Sequence, residues 1–355
     1  MSEWKKTYLR DLIVIKNGKD HKKLKNGQYP VYGSGGIMRY ADSYLYDQES
    51  VLLPRKGTLN NIQFVTEPFW TVDTCYYTVV NRDKVLPYFL YCCLCKMDIQ
   101  SLNTGSAVPS MTFEKYYSIE VPIPPLSTQH RIANILSRYD SLIENYQKQI
   151  KLLEEAAQRL YKEWFVDLHF PGHENTKIVD GVPEGWEKKK VGEIAPIITG
   201  KKDANFGTPN GEYPFFTCSQ EPIKAPSFSF DCAAILLAGN GDFNVKLYRG
   251  KFEAYQRTYV LSPYCAQHLY LLYYTISANM TKLAAGSSGS TIKFLTKGMI
   301  DGINLNIPND EILRTFNKKV EPIQSSRESL QSQLRLLTEA RDRLLPKLMN
   351  SEIEI

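Results

Sequence analysis

Leu153-Glu154-Glu155-Ala156-Ala157-Gln158-Arg159-Leu160 returns 184 residues further on as Leu337-Thr338-Glu339-Ala340-Arg341-Asp342-Arg343-Leu344, with Leu, Glu, Ala, Arg and Leu at the same spacing. Self-similarity at a fixed shift marks a duplicated structural unit. Working back from this stretch, Ile123-Pro124 matches Ile307-Pro308, and Gly105-Ser106 matches Gly286-Ser287 after a slip to 181. Leu52-Leu53 with Gly57 matches Leu236-Leu237 with Gly241, and Asn26-Gly27-x-Tyr29-Pro30 matches Asn210-Gly211-x-Tyr213-Pro214. Gly18-Lys19 answers Gly200-Lys201 at a shift of 182, and Trp4 with Leu9-x-Asp11-Leu12 answers Trp186 with Val191-x-Glu193-Ile194. Two long copies are too few for a solenoid, so the repeat implies one fold used twice and related by a pseudo-two-fold.

Each copy divides into a globular part, about 1–125 and 184–309, and a long helix. The globular parts alternate β-rich runs such as Ile62-Gln63-Phe64-Val65 and Tyr76-Tyr77-Thr78-Val79-Val80 with Gly, Asn, Asp and Pro turns. Short helices are expected at Leu86 to Met97 and at His268 to Ser277, which makes the class α+β. In the first long helix, apolar residues fall at Ile132, Leu136 (or Ile135), Tyr139, Leu142, Tyr146, Ile150, Leu153, Ala157, Leu160 and Trp164. In the second they fall at Leu313, Phe316, Val320, Ile323, Leu330, Leu334, Leu337, Leu344 and Leu348, with Arg327 and Arg341 interrupting the series. This 3-4 rhythm is a coiled-coil seam, and 30-plus residues exceed an ordinary globular helix. Pro322 is expected to kink or restart the second helix. Two helices related by a two-fold bury their seams together only when antiparallel, which puts the globular parts at opposite ends of a ruler roughly 50 Å long. Tyr139 and Tyr146 are expected in the core of the helical pair, whereas Trp164 suits either that core or a partner's groove. The organisation expected is therefore 1–126, a helix at 127–166, a linker at 167–183, 184–310, and a helix at 311–350.

The composition of the 355 residues, 43% apolar and 23% charged with a mean hydropathy of -0.33, excludes a disordered, collagenous or purely coiled-coil chain. No stretch approaches the roughly 18 uncharged apolar residues of a membrane span, and Met1-Ser2-Glu3-Trp4-Lys5-Lys6 has no apolar signal core. No membrane role is expected, and the chain should stay in the cytoplasm. Seven cysteines is an odd number, and Cys92, Cys93 and Cys95 lie in an apolar run that favours a reduced, buried role. Cys92-x-x-Cys95 has no second pair and His169-x3-His173 lies in a Pro/Gly loop, so no metal site is expected at either.

The inventory of catalytic motifs is nearly empty. No GxxxxGK[ST] loop, GxSxG elbow or HExxH is present, and Gly33-Ser34-Gly35-Gly36 and Gly239-Asn240-Gly241-Asp242 lack the setting of a dinucleotide site. Glu187-Lys188-Lys189 resembles a fragment of a nuclease site without its upstream acid. The net charge of +5 says more once it is divided. Residues 1–126 carry 15 basic and 12 acidic side chains, residues 186–310 carry 13 and 10, and residues 166–185 carry 1 and 4. The positive charge belongs to the globular parts, in turns shared with aromatic and amide residues. The candidate nucleic-acid contacts are Lys19, Lys22, Lys23, Lys25, Arg39, Tyr40, Arg55, Lys56, Asn60, Asn61 and Ser106 in the first copy. In the second they are Lys201, Lys202, Asn240, Lys246, Arg249, Arg257, Ser287 and Lys293. Lysine and arginine neutralise phosphates, and Arg, Asn, Gln and Lys have the donor geometry that reads base edges.

The chain also resembles, over nearly its whole length, the specificity subunits of type I restriction-modification systems. The residues that carry the resemblance are Gly105-Ser106-Ala107-Val108-Pro109-Ser110, the run Val121-Pro122-Ile123-Pro124-Pro125-Leu126-Ser127-Thr128-Gln129-His130-Arg131-Ile132-Ala133, Glu163-Trp164-Phe165-Val166-Asp167, and Val182-Pro183-Glu184-Gly185-Trp186. The second copy departs from it, with Ile307-Pro308-Asn309-Asp310 in place of Pro-Pro-Leu and no Ala-Val-Pro after Gly286-Ser287. The resemblance implies two target-recognition domains, each reading one half of a bipartite site in double-stranded DNA. It also implies that the paired helices dock two methyltransferase subunits, alongside restriction/translocase subunits. It implies a non-catalytic chain with no cofactor of its own, S-adenosylmethionine, ATP and magnesium being used by the partners. Two alternatives stand beside it: a nuclease or methyltransferase with an unrecognised active site, and a coiled-coil adaptor without a DNA role.

Overall fold

The computed structural model describes residues 4–105, 108–287, 289, 293–350, 352 and 353. The first globular part contains β1 (Lys5–Tyr8), β2 (Ile13–Asn17), β3 (Tyr29–Gly33), β4 (Gly36–Ala41), β5 (Ser50–Pro54), β6 (Gln63–Val65), β7 (Trp70–Thr71), β8 (Cys75–Val80), α1 (Pro87–Cys95), α2 (Phe113–Tyr117) and β9 (Glu120–Ile123). Helix α3 (Leu126–Tyr161) follows and is prolonged by one π-helical turn, Lys162–Val166. Then come a hairpin of β10 (Ile178–Val179) and β11 (Val182–Pro183), β12 (Glu187–Lys190), α4 (Val191–Ile194), β13 (Ile197–Thr199), β14 (Tyr213–Phe216), β15 (Ile223–Ala225), β16 (Phe230–Ala238), β17 (Val245–Ala254), β18 (Thr258–Leu261), α5 (Leu269–Ala285), α6 (Lys297–Asp301), β19 (Asn304–Ile307) and α7 (Asp310–Met349).

The repeat read from the sequence is a repeat of strand order. The second copy is one six-stranded sheet, β13-β18-β16-β17-β14-β15, and the first is the same series cut in two, β2-β8-β5-β6 and β4-β3-β7. The ten residues of β17 do the work of both β6 and β7, pairing with β16 along most of their length and parallel with β14 at their end. In the first copy Pro68 lies in the gap between β6 and β7, and a residue without an N–H cannot carry a ladder through. The outer pair β1·β9 recurs as β12·β19. The matched glycines sit at equal close approaches: a Cβ on Gly18 would lie 2.0 Å from the Val72 carbonyl oxygen, and one on Gly200 would lie 1.8 Å from that of Ala254.

Two compact units emerge, residues 1–147 with 332–355 and residues 148–331. Helix α3 starts in the first unit and ends in the second while α7 does the reverse, so the two run antiparallel. In the first unit, Ile132 and Leu136 of α3 and Leu348 and Met349 of α7 belong to one core with α1. In the second, Phe316 and Val320 of α7 pack in one core with Trp164 and Phe165 from the end of α3. These positions correspond at the 184-residue shift.

The seam is regular, and three expectations about it change. Leu142 is exposed and Ile143 is buried, because after the three-residue step from Leu136 to Tyr139 the next seam position is four residues on. Arg327 and Arg341 continue the seam of α7 rather than interrupt it: Arg327 is buried and paired with Glu154, and Arg341 meets Asp140 at 2.9 Å. Burial opposes both guanidinium charges and is outweighed, by Tyr273 and Glu154 at Arg327 and by Asp140 and Asp342 at Arg341. Helix α7 runs through Pro322 without a restart, since the ring removes one bond while packing on both sides holds the rest. Trp164 and Leu348 are buried, whereas Tyr139, Tyr146, Ile150, Leu153, Leu160, Ile323, Leu330, Leu334, Leu337 and Leu344 are half-buried. Trp164 is thus a core residue, 6.0 Å from the ring of Phe316, and not an exposed anchor.

Helix α1 falls inside its expected range, but α5 continues eight residues past Ser277 because buried Leu283 prolongs its apolar face. Cys92 and Cys93 are buried, Cys95 is exposed, and all seven thiols are free. In the segment 167–183, Asp180 and Gly181 close the β10–β11 hairpin with φ of 52° and 76°, the positive pair of a type I′ turn. Among the described residues, no helix is long and apolar enough to cross a membrane.

Gln129, in the run leading into α3, is fully buried with its amide saturated. It accepts from the Leu86 N–H at 2.8 Å and donates to the carbonyls of Lys84 at 3.0 Å and Pro124 at 2.9 Å, stapling the start of α3 to that of α1. The second copy has buried Leu313 at this position, and Asn309 caps α7 by accepting from the Ile312 N–H. That is how it dispenses with Pro-Pro-Leu. Gln129→Ala strands those buried groups and is expected to destabilise the first unit by about 3 kcal/mol in urea denaturation.

Candidate nucleic-acid interface

Each copy builds a loop pair at the end of an interior strand, β5 in the first and β16 in the second. In the first, the segment after β5 is pinned to the segment before α2: the Met111 N–H donates to the Arg55 carbonyl, and the Gly57 N–H to that of Pro109, both at 2.9 Å. A β-bridge joins Lys56 to Ser110. In the second, the Leu295 N–H donates to the Gly239 carbonyl at 2.8 Å and a bridge joins Asn240 to Phe294. These contacts correspond at 184 residues, and Thr112 and Thr296 cap the following helices alike. At the other matched pair, Gly286 terminates α5 and the Ser287 hydroxyl donates to the Ala284 carbonyl at that helix end. Ser106 lies outside the described residues.

Asn103 holds the first loop closed. Its side-chain oxygen accepts from the Gly105 N–H at 2.9 Å and the Ser110 N–H at 2.7 Å, and its NH2 donates to the Gly105 carbonyl at 2.9 Å. No motif in the sequence signals this residue.

The basic loop 19–26 is rigidly framed. The Trp70 indole donates to the Lys19 carbonyl at 2.9 Å, Asp42 accepts from the Lys25 N–H at 3.2 Å, and the Arg39 guanidinium donates to the Leu24 carbonyl at 3.0 Å and to Asn26 at 3.1 Å. Arg39 is therefore a brace, and the side chains of Lys19, Lys22, Lys23 and Lys25 stay exposed, as does Tyr40 on β4. In the second copy Lys201 is exposed, the Lys202 ammonium lies 4.3 Å over Phe206, and that of Lys251 lies 4.9 Å over Phe228. Phe228 packs on Tyr213 at 4.9 Å just as Tyr44 packs on Tyr29 at 5.1 Å. The repeated Asn-Gly-x-Tyr-Pro signalled the tyrosines but not their exposed partners.

The other candidates divide. Lys56 is exposed, while Asn240, Arg257 and Lys293 surround one loop, where the Gly239 N–H donates to the Arg257 carbonyl at 2.8 Å. Arg55 lies over the Tyr76 ring at 5.8 Å. Asn60 donates to Asp98 at 3.1 Å and accepts from the Gln100 N–H at 2.8 Å, and Asn61 donates to the Ser34 carbonyl at 2.8 Å, so both amides are structural ties. Lys246 is half-buried, bonded to the Ser219 carbonyl at 2.8 Å and to Asn244, and burial lowers its pKa. Arg249 is exposed but tied to the helices, pairing with Glu321 of α7 at 3.1 Å and contacting the Tyr270 hydroxyl of α5. Glu187 is neutralised by Lys189 at 2.7 Å, and no cluster of three or more His, Cys, Asp or Glu among the described residues is placed to hold a metal ion.

A duplicated sheet that carries different basic loops on one framework has the build of a recognition protein. The family model for the type I restriction modification DNA specificity domain matches residues 1–155 and again 183–330. The chain belongs to this family of specificity subunits, the DNA-recognition and non-catalytic members of restriction-modification complexes. It is 36% identical over 176 residues to the EcoDI specificity subunit of Escherichia coli, covering 48% of this chain and 39% of that one. It is 25% identical over 349 residues to the MjaIX specificity subunit of Methanocaldococcus jannaschii, covering 88% and 79%. The crystal structure of a type I S subunit from M. genitalium has the same fold, with a TM-score of 0.69 at 18% identity over 98% of this chain and 96% of that one.

Asn103→Ala is expected to open the first loop. Amide hydrogen exchange at Gly105 and Ser110 should rise roughly tenfold while exchange in β8 is unchanged.

Proposed function

We propose that each globular part binds one half of a bipartite, asymmetric site in double-stranded DNA. The helix pair sets the spacing and docks two methyltransferase subunits, which restriction/translocase subunits join. The modules span 1–126 and 184–310, the spacer helices 127–166 and 311–350, and the linker 167–183. S-adenosylmethionine, ATP and magnesium belong to the partners, and the assembly works in the cytoplasm.

The observation that carries this reading is one framework with unlike donors. Arg55 and Lys56 stand where the second copy has Gly239 and Asn240, and Lys25 stands where it has Pro209. Equal scaffolds with different donors read different base sequences.

Affinity for duplex DNA is expected to fall with salt at about 0.9 log units per phosphate contacted. Replacing Lys22, Lys23 and Lys25 by Gln should flatten that slope by about 2 to 3 units, and binding indifferent to salt overturns the proposal. Exchanging residues 184–309 for those of another family member should change one half-site only. An unchanged target sequence overturns the modular reading, and DNA cleaved or methylated by the purified chain alone overturns the non-catalytic one.

A further inference from the structure

We infer that the helix pair carries a charge code that makes it select unlike helices: α3 accepts α7, from its own chain or from a second copy, and neither helix accepts its own kind. The seam of α7 contains two arginines, Arg327 and Arg341, among otherwise apolar positions, and each meets an acid of α3, Glu154 and Asp140, with Asp342 of α7 itself adding to the pair at Arg341. Each pair closes within its own unit, and the two lie fourteen residues apart on both helices, in one antiparallel register. Tyrosine hydroxyls complete both sites, Tyr88 donating to Asp140 at 2.5 Å and Tyr273 contacting Arg327 at 3.0 Å.

The internal repeat supplies the comparison. At the 184-residue shift, the α7 counterparts of Asp140 and Glu154 are Gln324 and Thr338, and the α3 counterparts of Arg327 and Arg341 are Ile143 and Ala157. In the same register, α7 against α7 would seat Arg327 opposite Thr338 and Arg341 opposite Gln324, leaving Arg327 without its acid and Arg341 with only Asp342 of its own helix. Likewise α3 against α3 would seat Asp140 opposite Ala157 and Glu154 opposite Ile143, leaving two carboxylates against apolar groups. A buried charge without its partner is strongly unfavourable, and polar seam residues of this kind fix register and partner choice. The second copy of this chain that the surface fits is therefore one that offers α7 to α3 and α3 to α7, by exchange.

Full-length variants test this. One carries Asp140→Arg with Glu154→Arg, the other Arg327→Glu with Arg341→Asp, and a third carries all four reversals. Each two-site variant alone should lose about 10 °C or more in Tm, and the four-site variant should regain at least half of that loss at the parent's size in light scattering. Refolded together from denaturant, the two two-site variants should give a 1:1 heterodimer, each member supplying the helix that complements the other. Failure of the four-site variant to recover overturns the code. So does self-association of a two-site variant as readily as mixed association, and so does a mixture that yields no heterodimer.

Discussion

Each long helix is anchored by its two ends in two different apolar cores, and the rest of the fold is arranged around that constraint. Helix α3 enters the first core through Ile132 and Leu136 and the second through Trp164 and Phe165, while α7 enters the second through Phe316 and Val320 and the first through Leu348 and Met349. Neither globular part closes its core with residues of its own copy alone. At about 1.5 to 3 kcal/mol for each large apolar side chain buried, the Trp164–Phe165 end alone contributes several kcal/mol to a core that belongs, in sequence, to the other repeat. The structural units therefore cut across the sequence repeat, each taking the end of a helix that its neighbour begins.

That arrangement leaves the sheets freedom that the helices lack. One strand order serves both copies, yet the first breaks where Pro68 denies the ladder a donor, and the second runs through as a single ten-residue strand. Loop anchors are retained through backbone bonds, Met111 to Arg55 and Leu295 to Gly239, which are indifferent to the side chains they carry. Side chains on these loops can diverge while their placement is conserved between the copies.

Much of this is written in the sequence because it depends on periodicity. The repeat, the helix pair and its apolar seam are spacing patterns, and both β-rich runs quoted at the outset lie where strands form. What spacing does not encode is which polar group faces which. Arg327 and Arg341 look like breaks in a seam until Glu154 and Asp140 are placed beside them, and those acids are distant in the chain. Leu142 and Ile143 are equally apolar, and only the alternation of three- and four-residue steps tells them apart. Asn60, Asn61 and Arg249 have the chemistry of DNA contacts, but their partners Asp98, Ser34 and Glu321 lie 27 to 72 residues away and use that chemistry internally. Asn103 escapes notice because a clamp of backbone amides has no motif.

The division of labour between the two basic side chains follows from their shapes. A guanidinium presents several donors in a planar fork and holds two acceptors at once, so Arg39 spans the Leu24 carbonyl and Asn26, and Arg341 spans Asp140 and Asp342. Lysine offers a point charge on a flexible stem and loses more entropy for each bond it fixes. Accordingly Lys19, Lys22, Lys23, Lys25, Lys56, Lys201 and Lys293 remain on the surface, while Arg39 braces the 19–26 loop and Arg249 is held by Glu321. The count of positive charges thus overstates the donors available to a duplex and conceals how much of the basic character builds the platform. Among the candidate residues, Arg257 is the exposed arginine for which no side-chain tie is seen among the described residues, and it stands beside Asn240 and Lys293 at one loop. A rigid fork beside an amide and an ammonium offers the donors that base edges accept, which is why this loop belongs with the DNA-reading part proposed for the second module.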